Sequence, residues 1–345
     1  MRVLHVVDSD AFAGVERHVA RLARAQAAAG HDLRVLGGAP DAMRAEAGPR
    51  VVVEPVRGLR ATARAVARFG PAADVVHVHM TAAEVAASLA GPLAALRGRR
   101  LAPVVATRHF ARPRGSGRLG RLTAAVARRP VRAQLAISAY VAAHVDGTSV
   151  VVSPGVDVAP DARPAADRSR VVLLAQRLEA EKDGDVALRS FAASGLADDG
   201  WELHVAGDGS LRADLESLAA RLGIGGATRF LGHRADVPDL LDDAAVLLAP
   251  CRVEGLGLSV LEAMARGLPV VAADAGGHTE LLQGLEGACL VAPGDPADAA
   301  RALRALAADP GTRDAYGAAE QGRQRAAFTL ENQVRHTEAV YRTVL

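Results

Sequence analysis

The sequence predicts two doubly wound α/β domains. Three observations carry that expectation: short apolar runs alternate with Ala-rich helical stretches along the chain, the charge changes sign near its middle, and 345 residues at 50% apolar content can fill two cores. Val3–Val7 is a continuous apolar run stopped by Asp8, as expected of a parallel strand covered on both faces. From Gly14 the positions Val15, Val19 and Leu22 recur at helical spacing, and Gly30 ends the pattern as a C-terminal cap would. Strand-like runs follow at Asp32–Leu36, Val51–Glu54, Asp74–His79, Pro103–Thr107, Gln134–Ile137 and Val150–Val152. A Pro-, Asp- and Ala-rich stretch without periodicity then suggests an exposed connection. A second series runs through Val171–Ala175, Glu202–Ala206, Thr228–Leu231, Ala245–Ala249, Pro269–Ala273 and Ala288–Val291. The expected division is a first domain over 1–157, a connection over 158–169, a second domain over 170–328 and a terminal helix over 329–345. That helix carries an apolar stripe of Leu330, Val334, Val340, Tyr341 and Leu345 that needs a partner surface, with the first domain as the candidate.

Charge is distributed unevenly. Before Ala165 there are 23 arginines and 12 acids, a net +11; the remainder carries a net −9. Between Val85 and Val145 lie eleven arginines (97, 99, 100, 108, 112, 114, 118, 121, 128, 129 and 132) and no Asp or Glu. Such a face attracts anions, and region 97–132 is expected to meet an anionic acceptor or an anionic lipid surface, against the plainer reading of a solvated face. A nucleic-acid surface is disfavoured, because Phe69, Phe110 and Tyr140 are too few for stacking platforms. Among 41 basic residues Lys182 is the single lysine, a candidate for a place that needs a compact ammonium. Two cysteines allow at most one disulfide, and no basic segment leads an apolar one. The expectation is a cytoplasmic protein without signal peptide or membrane span, at most peripheral on the inner membrane face.

The most specific segment runs from Glu254 to Asp274. A glycine-containing turn after a strand enters a helix, so the amides of Gly257, Leu258 and Ser259 point out of a helix N-terminus, an end that binds phosphate. A carboxylate at Glu254 repels phosphate there unless it has another partner, such as sugar hydroxyls. With seven residues between them, Glu254 and Glu262 resemble the E-x7-E motif of retaining glycosyltransferases of family 4, whose GT-B fold sets two Rossmann-like domains about a cleft. The resemblance implies that Glu254 contacts the donor sugar and Glu262 the nucleotide ribose. Arg177 and Lys182, after the strand Val171–Ala175, resemble the family's cationic clamp on the donor diphosphate, with Gln176 where the family often has Gly. Phe12-Ala13-Gly14 resembles its first-domain glycine-rich loop, with Ala13 replacing a usual glycine and Gly14 left to approach the donor. Thr107-Arg-His109 resembles the strand-end histidine beside the donor sugar, which assigns His109 a hydrogen bond to sugar or acceptor. By the same likeness Gly207 lies near the nucleotide, and His233 and Arg234 near its base. Ser153–Asp157 resembles a hinge-proximal structural segment.

His77 and His79 share one face of a strand, a geometry open to a metal, but no third ligand is evident and the resemblance implies that none is required. The resemblance thus implies a retaining transfer from a nucleotide sugar, itself a substrate and not a cofactor, to an acceptor hydroxyl by front-face substitution. UDP-GlcNAc is the first expectation, then UDP-glucose or GDP-mannose. A nucleotide-sugar epimerase or phosphorylase of the same fold is the alternative, as is a basic nucleic-acid-binding protein.

Overall fold

A computed structural model describes residues 1–115 and 117–345, with the side chains of residues 117–119 set aside; Arg118 therefore lies outside the described residues. Two compact units divide the chain: one of Met1–Gly155 with Leu330–Leu345, the other Val156–Thr329. Both are parallel sheets wrapped by helices.

In the first unit the strands are β1 (Arg2–Val7), β2 (Asp32–Leu36), β3 (Val51–Glu54), β4 (Val75–His79), β5 (Val104–Arg108), β6 (Val131–Ala136) and β7 (Val150–Val151). Between them run α1 (Gly14–Ala28), α2 (Pro40–Ala47), α3 (Leu59–Phe69), α4 (Met80–Ala95), α5 (Gly117–Arg128) and α6 (Ala139–His144). The spatial order is β3-β2-β1-β4-β5-β6-β7, so the chain reverses its direction of travel across the sheet between β1 and β4. Alternation along β1 feeds two cores: Val3 packs with Val19 and Ala23 of α1, whereas Leu4 and Val6 pack with Val66 of α3 and Ala87 of α4.

In the second unit β8 (Val171–Ala175), β9 (Glu202–Ala206), β10 (Thr228–Gly232), β11 (Val246–Ala249), β12 (Val270–Ala273) and β13 (Cys289–Val291) take the order β10-β9-β8-β11-β12-β13. Its helices are α7 (Gly184–Ser194), α8 (Arg212–Arg221), α9 (Val237–Asp243), α10 (Leu258–Ala265), α11 (Gly277–Leu282), α12 (Pro296–Ala308) and α13 (Pro310–Ala327). Phe191, Leu203, Val246 and Leu303 anchor one face of that sheet. The chain then crosses back, and α14 (Leu330–Arg342) buries Val340 and Tyr341 in the first unit against α1.

Two expectations change. Residues 158–169 are not a loose connection: they lie along the second unit, where Arg168 is buried and donates to the carbonyls of Leu241, Ala244 and Arg266. Nor do all the arginines of 97–132 face outward. Arg114 is buried, its guanidinium shared by Glu84 (3.0 Å), Asp146 (2.8 Å) and Gln134 (2.6 Å), and the buried Arg108 also reaches Asp146 (3.1 Å). The acids that pair them, Glu84 and Asp146, stand just outside the acid-free stretch. Replacing Arg114 with Leu strands the fully buried Glu84 and is expected to cost about 3–5 kcal/mol, read from the denaturant midpoint. Among the described residues no helix is long and apolar enough to cross a membrane.

Candidate active site

In an open parallel sheet, ligands gather at the carboxyl ends of the strands where the winding reverses. In the second unit that point lies between β8 and β11. The loop after β8 brings Lys182 and the loop after β11 brings Glu254; their side chains meet at 2.6 Å, Nζ to Oε2, both mostly buried. Three contacts tie the loops together. Arg252 donates its backbone N–H (3.0 Å) and its guanidinium (2.8 Å) to Asp183, and the Cys251 thiol donates to the Glu181 carbonyl (3.1 Å). Asp183 itself is buried and takes a left-handed φ of 51°. Gln176, at the position that departs from the family pattern, donates its amide N–H to the Lys182 carbonyl at 2.8 Å and so braces the lysine.

Burial disfavours the charge on Lys182, but the Glu254 carboxylate outweighs it and the ammonium's pKa ends above its ordinary value. The converse holds for Glu254: burial pushes its carboxyl up, Lys182 pulls it down further, and it finishes below the usual carboxylate value. Both groups are charged at neutral pH. Gly257, at φ 104°, caps the start of α10, and Leu258 and Ser259 open the helix with amides that have no acceptor inside it. A side chain at Gly257 would meet the His278 ring at 2.9 Å, so glycine is required both for the backbone angle and for the closeness of that imidazole. Glu262 is buried on α10.

Gly207 takes φ 148° and presses so closely on the Gln176 carbonyl that a Cβ would lie 1.8 Å from its oxygen; the glycine shapes the loop that carries Arg177. Arg177 itself is exposed and pairs with Glu181 at 2.9 Å, short of Lys182's buried position. His233 is exposed, and Arg234 turns to Asp236 (2.7 Å). The structure thus brings together Lys182, Glu254 and the start of α10, and leaves Arg177, His233 and Arg234 on the surface.

Sequence reasoning missed Asp183, Arg252 and His278. A signal for the last existed: Gly276-Gly277-His278 begins three residues after the end of β12, and Gly277 N–H donates to the Glu254 carbonyl at 3.0 Å.

In the first unit the winding reverses at β1 and β4, and parallel register places His5 opposite His77, with His79 two residues on and Thr107 opposite His79. His109 follows β5, two residues past Thr107. One sheet face therefore carries His5, His77, His79 and His109, and α1 covers it with His18 and Gln26. All five histidines are buried. His109 also lines a cavity of about 380 Å³ with Met80, Thr81, Arg108, Phe110 and Arg112. Gly14 is exposed at the start of α1, where Glu16 accepts the Ala13 N–H at 2.9 Å, so one amide of that turn is already occupied.

The third imidazole that the sequence did not show is present: nitrogens of His5, His77 and His79 lie within 4.8 Å of one another, as do those of His18, His79 and His109. His5, His77 and His79 each have both nitrogens within hydrogen-bond reach of a neighbour, and among the described residues no carboxylate joins either group of imidazoles.

Burial disfavours the imidazolium throughout, bringing His5 down to about 4 and His18 to about 3, and the other three well below 6.5. The unfolded chain binds protons near 6.5 and the folded unit does not. Stability is therefore full above that value and falls as the pH drops from 6.5 towards 4. Denaturant unfolding is expected to show a loss on the order of several kcal/mol between about pH 7 and about pH 5, and His18→Gln should flatten the slope. A midpoint independent of pH over that range contradicts neutral burial of these rings.

Two family models match the chain: glycosyltransferase family 4 over residues 12–159 and glycosyl transferases group 1 over residues 157–323. The chain belongs to the family 4 type of GT-B glycosyltransferases. A D-inositol 3-phosphate glycosyltransferase of Corynebacterium kroppenstedtii is 34% identical over 221 residues, 57% of this chain and 48% of that protein. The lipopolysaccharide core mannosyltransferase LpsB of Rhizobium meliloti is 28% identical over 236 residues, 63% of this chain and 67% of that one. The first of these alignments spans about half the relative's length. Among solved structures, Anabaena HepE in complex with UDP and glucose superposes with a TM-score of 0.82 at 19% identity, covering 99% of this chain and 100% of the other. That likeness extends the GT-B fold over both units.

Proposed function

We propose that this family 4 type chain is a retaining glycosyltransferase that moves a sugar from a nucleoside diphosphate donor to an acceptor hydroxyl. The observation that carries the reading is the Lys182–Glu254 pair at the winding reversal of the second sheet, beside the amide-bearing start of α10. Breaking the glycosidic bond builds charge on the departing diphosphate, and a fixed ammonium and oriented amides stabilise it most in the transition state. Glu254 is assigned to the sugar hydroxyls and Glu262 to the ribose. Gly207, His233 and Arg234 are assigned to the nucleotide and its base, and Gly14 to the approach of donor phosphate. Arg177 joins the diphosphate by giving up Glu181, an exposed pair worth only about 0.2–1 kcal/mol. Lys182, Arg177 and the amides carry the phosphate charge in this scheme, so no metal is assigned. His109 is assigned a hydrogen bond to sugar or acceptor. With no nucleophile assigned, substitution takes the front face and the departing phosphate helps remove the acceptor proton.

The acceptor is proposed to be anionic or lipid-linked, as the exposed Arg112 lines the cavity at His109. Exposed Arg97, Arg99, Arg100, Arg121, Arg128, Arg129 and Arg132, with exposed Leu96 and Leu122, are proposed to give peripheral membrane contact. Reversing the charge at Arg121 and Arg128 tests this by flotation on anionic vesicles.

The donor is tested by thermal stabilisation with UDP-GlcNAc, UDP-glucose and GDP-mannose. UDP-GlcNAc leads the panel; the UDP complex of HepE and the mannosyltransferase LpsB support including the other two. A donor that binds the folded state must raise Tm by linkage. Nucleoside diphosphate should then appear only when an acceptor is added, which separates a transferase from an epimerase or phosphorylase. Failure of every nucleotide sugar to raise Tm overturns the reading.

A further inference from the structure

The buried histidines of the first unit form an ordered chain of donors and acceptors. At one end Gln26, on α1, turns its amide oxygen to His5 Nε2 (2.7 Å) and its amide N–H to the Tyr341 hydroxyl (3.4 Å). His5 Nδ1 lies 3.0 Å from His79 Nε2, and His79 Nδ1 lies 3.1 Å from His109 Nε2. A neutral imidazole has one N–H and one lone pair, so fixing one nitrogen fixes the other. Because the Gln26 carbonyl can only accept, His5 carries its proton on Nε2 and presents Nδ1 as acceptor. His79 must then donate from Nε2 and accept at Nδ1, and His109 must donate from Nε2. The second arm of Gln26 agrees: its N–H donates to Tyr341, the phenol O–H donates to His77 Nδ1 (2.6 Å), and His77 Nε2–H donates to the Thr107 hydroxyl (2.7 Å).

We propose that Gln26, His5 and His79 are positioning residues that lock His109 in the Nε2–H tautomer, leaving its Nδ1 as the lone-pair acceptor for a substrate hydroxyl. The proposal deepens, and rests on, the assignment of His109 to sugar or acceptor. It accounts for polar residues in a strand core that Val or Leu would otherwise fill, since three imidazoles are held in one direction by a single amide.

The test is long-range nitrogen–proton NMR on the full chain with nitrogen-15 histidine, which reads the protonated nitrogen of each ring. The expected result is an Nε2–H tautomer for His109. An Nδ1–H tautomer overturns the proposal, as does a zinc ion retained at one equivalent by the purified protein, because a metal would take the lone pairs the chain uses. Gln26→Leu removes the polarising amide two rings away from His109. It should leave His109 a mixture of tautomers and lower kcat about tenfold with the donor KM unchanged. Thr107→Val should disturb the His77 signals alone. A His109 spectrum unaltered by Gln26→Leu also overturns the proposal; if that variant does not fold, the wild-type tautomer still decides. His109→Ala separates the two readings. Full turnover in that variant removes the assignment of His109 to substrate but leaves the tautomer measurement standing.

Discussion

Replacing Lys182 with alanine is expected to lower kcat/KM by about 10²–10³-fold, the scale of losing one preorganised charge at the place where leaving-group charge develops. The loss should divide between weaker nucleoside diphosphate binding and slower transfer, because the ammonium touches the diphosphate in both states but more strongly in the transition state. Arginine should not restore the rate. Its planar fork needs room that a 2.6 Å contact with Glu254 and the Gln176 brace do not leave. The variant also has a signature in stability. In the parent protein Glu254 is held below its ordinary pKa of 4.5, so its ionic contribution is complete above that value and is lost as the pH falls through the lower, folded one. Without Lys182 burial is opposed only by His278 and the Gly255 N–H, so that part of the acid sensitivity should shrink. Initial rates, calorimetric titration with nucleoside diphosphate and unfolding midpoints below neutral pH together check the prediction. Turnover within threefold of the parent would leave the second unit without its assigned phosphate grip.

The sequence exposed this pair because two independent lines met there: the only lysine of the chain falls on a loop after a buried strand, and the E-x7-E spacing marks the other partner. What it did not show was that the two are each other's partners. That fact depends on β8 and β11 being neighbours, and adjacency in a doubly wound sheet is set by the order of crossovers, which local periodicity does not encode. The histidine cluster was hidden for the same reason. His77 and His79 were visible as one strand face, but His5 joins them only through the parallel register of β1 with β4, and His18 and Gln26 only through the docking of α1. The arginine-rich stretch misled in the other direction. A count of charges cannot tell which side chains turn inward, and Glu84 and Asp146, which draw Arg114 and Arg108 into the core, sit just beyond its ends. Strand positions were easier to read, since a strand buried on both faces is an uninterrupted apolar run in the sequence itself.

Glu254→Gln should separate binding from turnover. The carboxylate is the counter-ion of Lys182, yet the proposed donor brings two phosphates to that same ammonium and to the start of α10. A carboxylate beside a diphosphate is a repulsive neighbour, and the amide that replaces it keeps the shape without the charge. Nucleoside diphosphate is therefore expected to bind about tenfold more tightly to the variant, since Lys182 no longer has to be shared. Transfer should nevertheless fall by about 10²-fold, because the assigned work of the carboxylate is to accept hydrogen bonds from the sugar as positive charge develops at its anomeric carbon, and a neutral amide does that poorly. Calorimetry with nucleoside diphosphate and initial rates with the donor read the two effects separately. Weaker diphosphate binding with lost turnover would instead make Glu254 a scaffold that aims the lysine. Unchanged turnover would remove it from the sugar altogether. Only the combination of tighter binding and slower transfer fits a carboxylate kept next to an anion site despite the repulsion, for the sake of the group being moved.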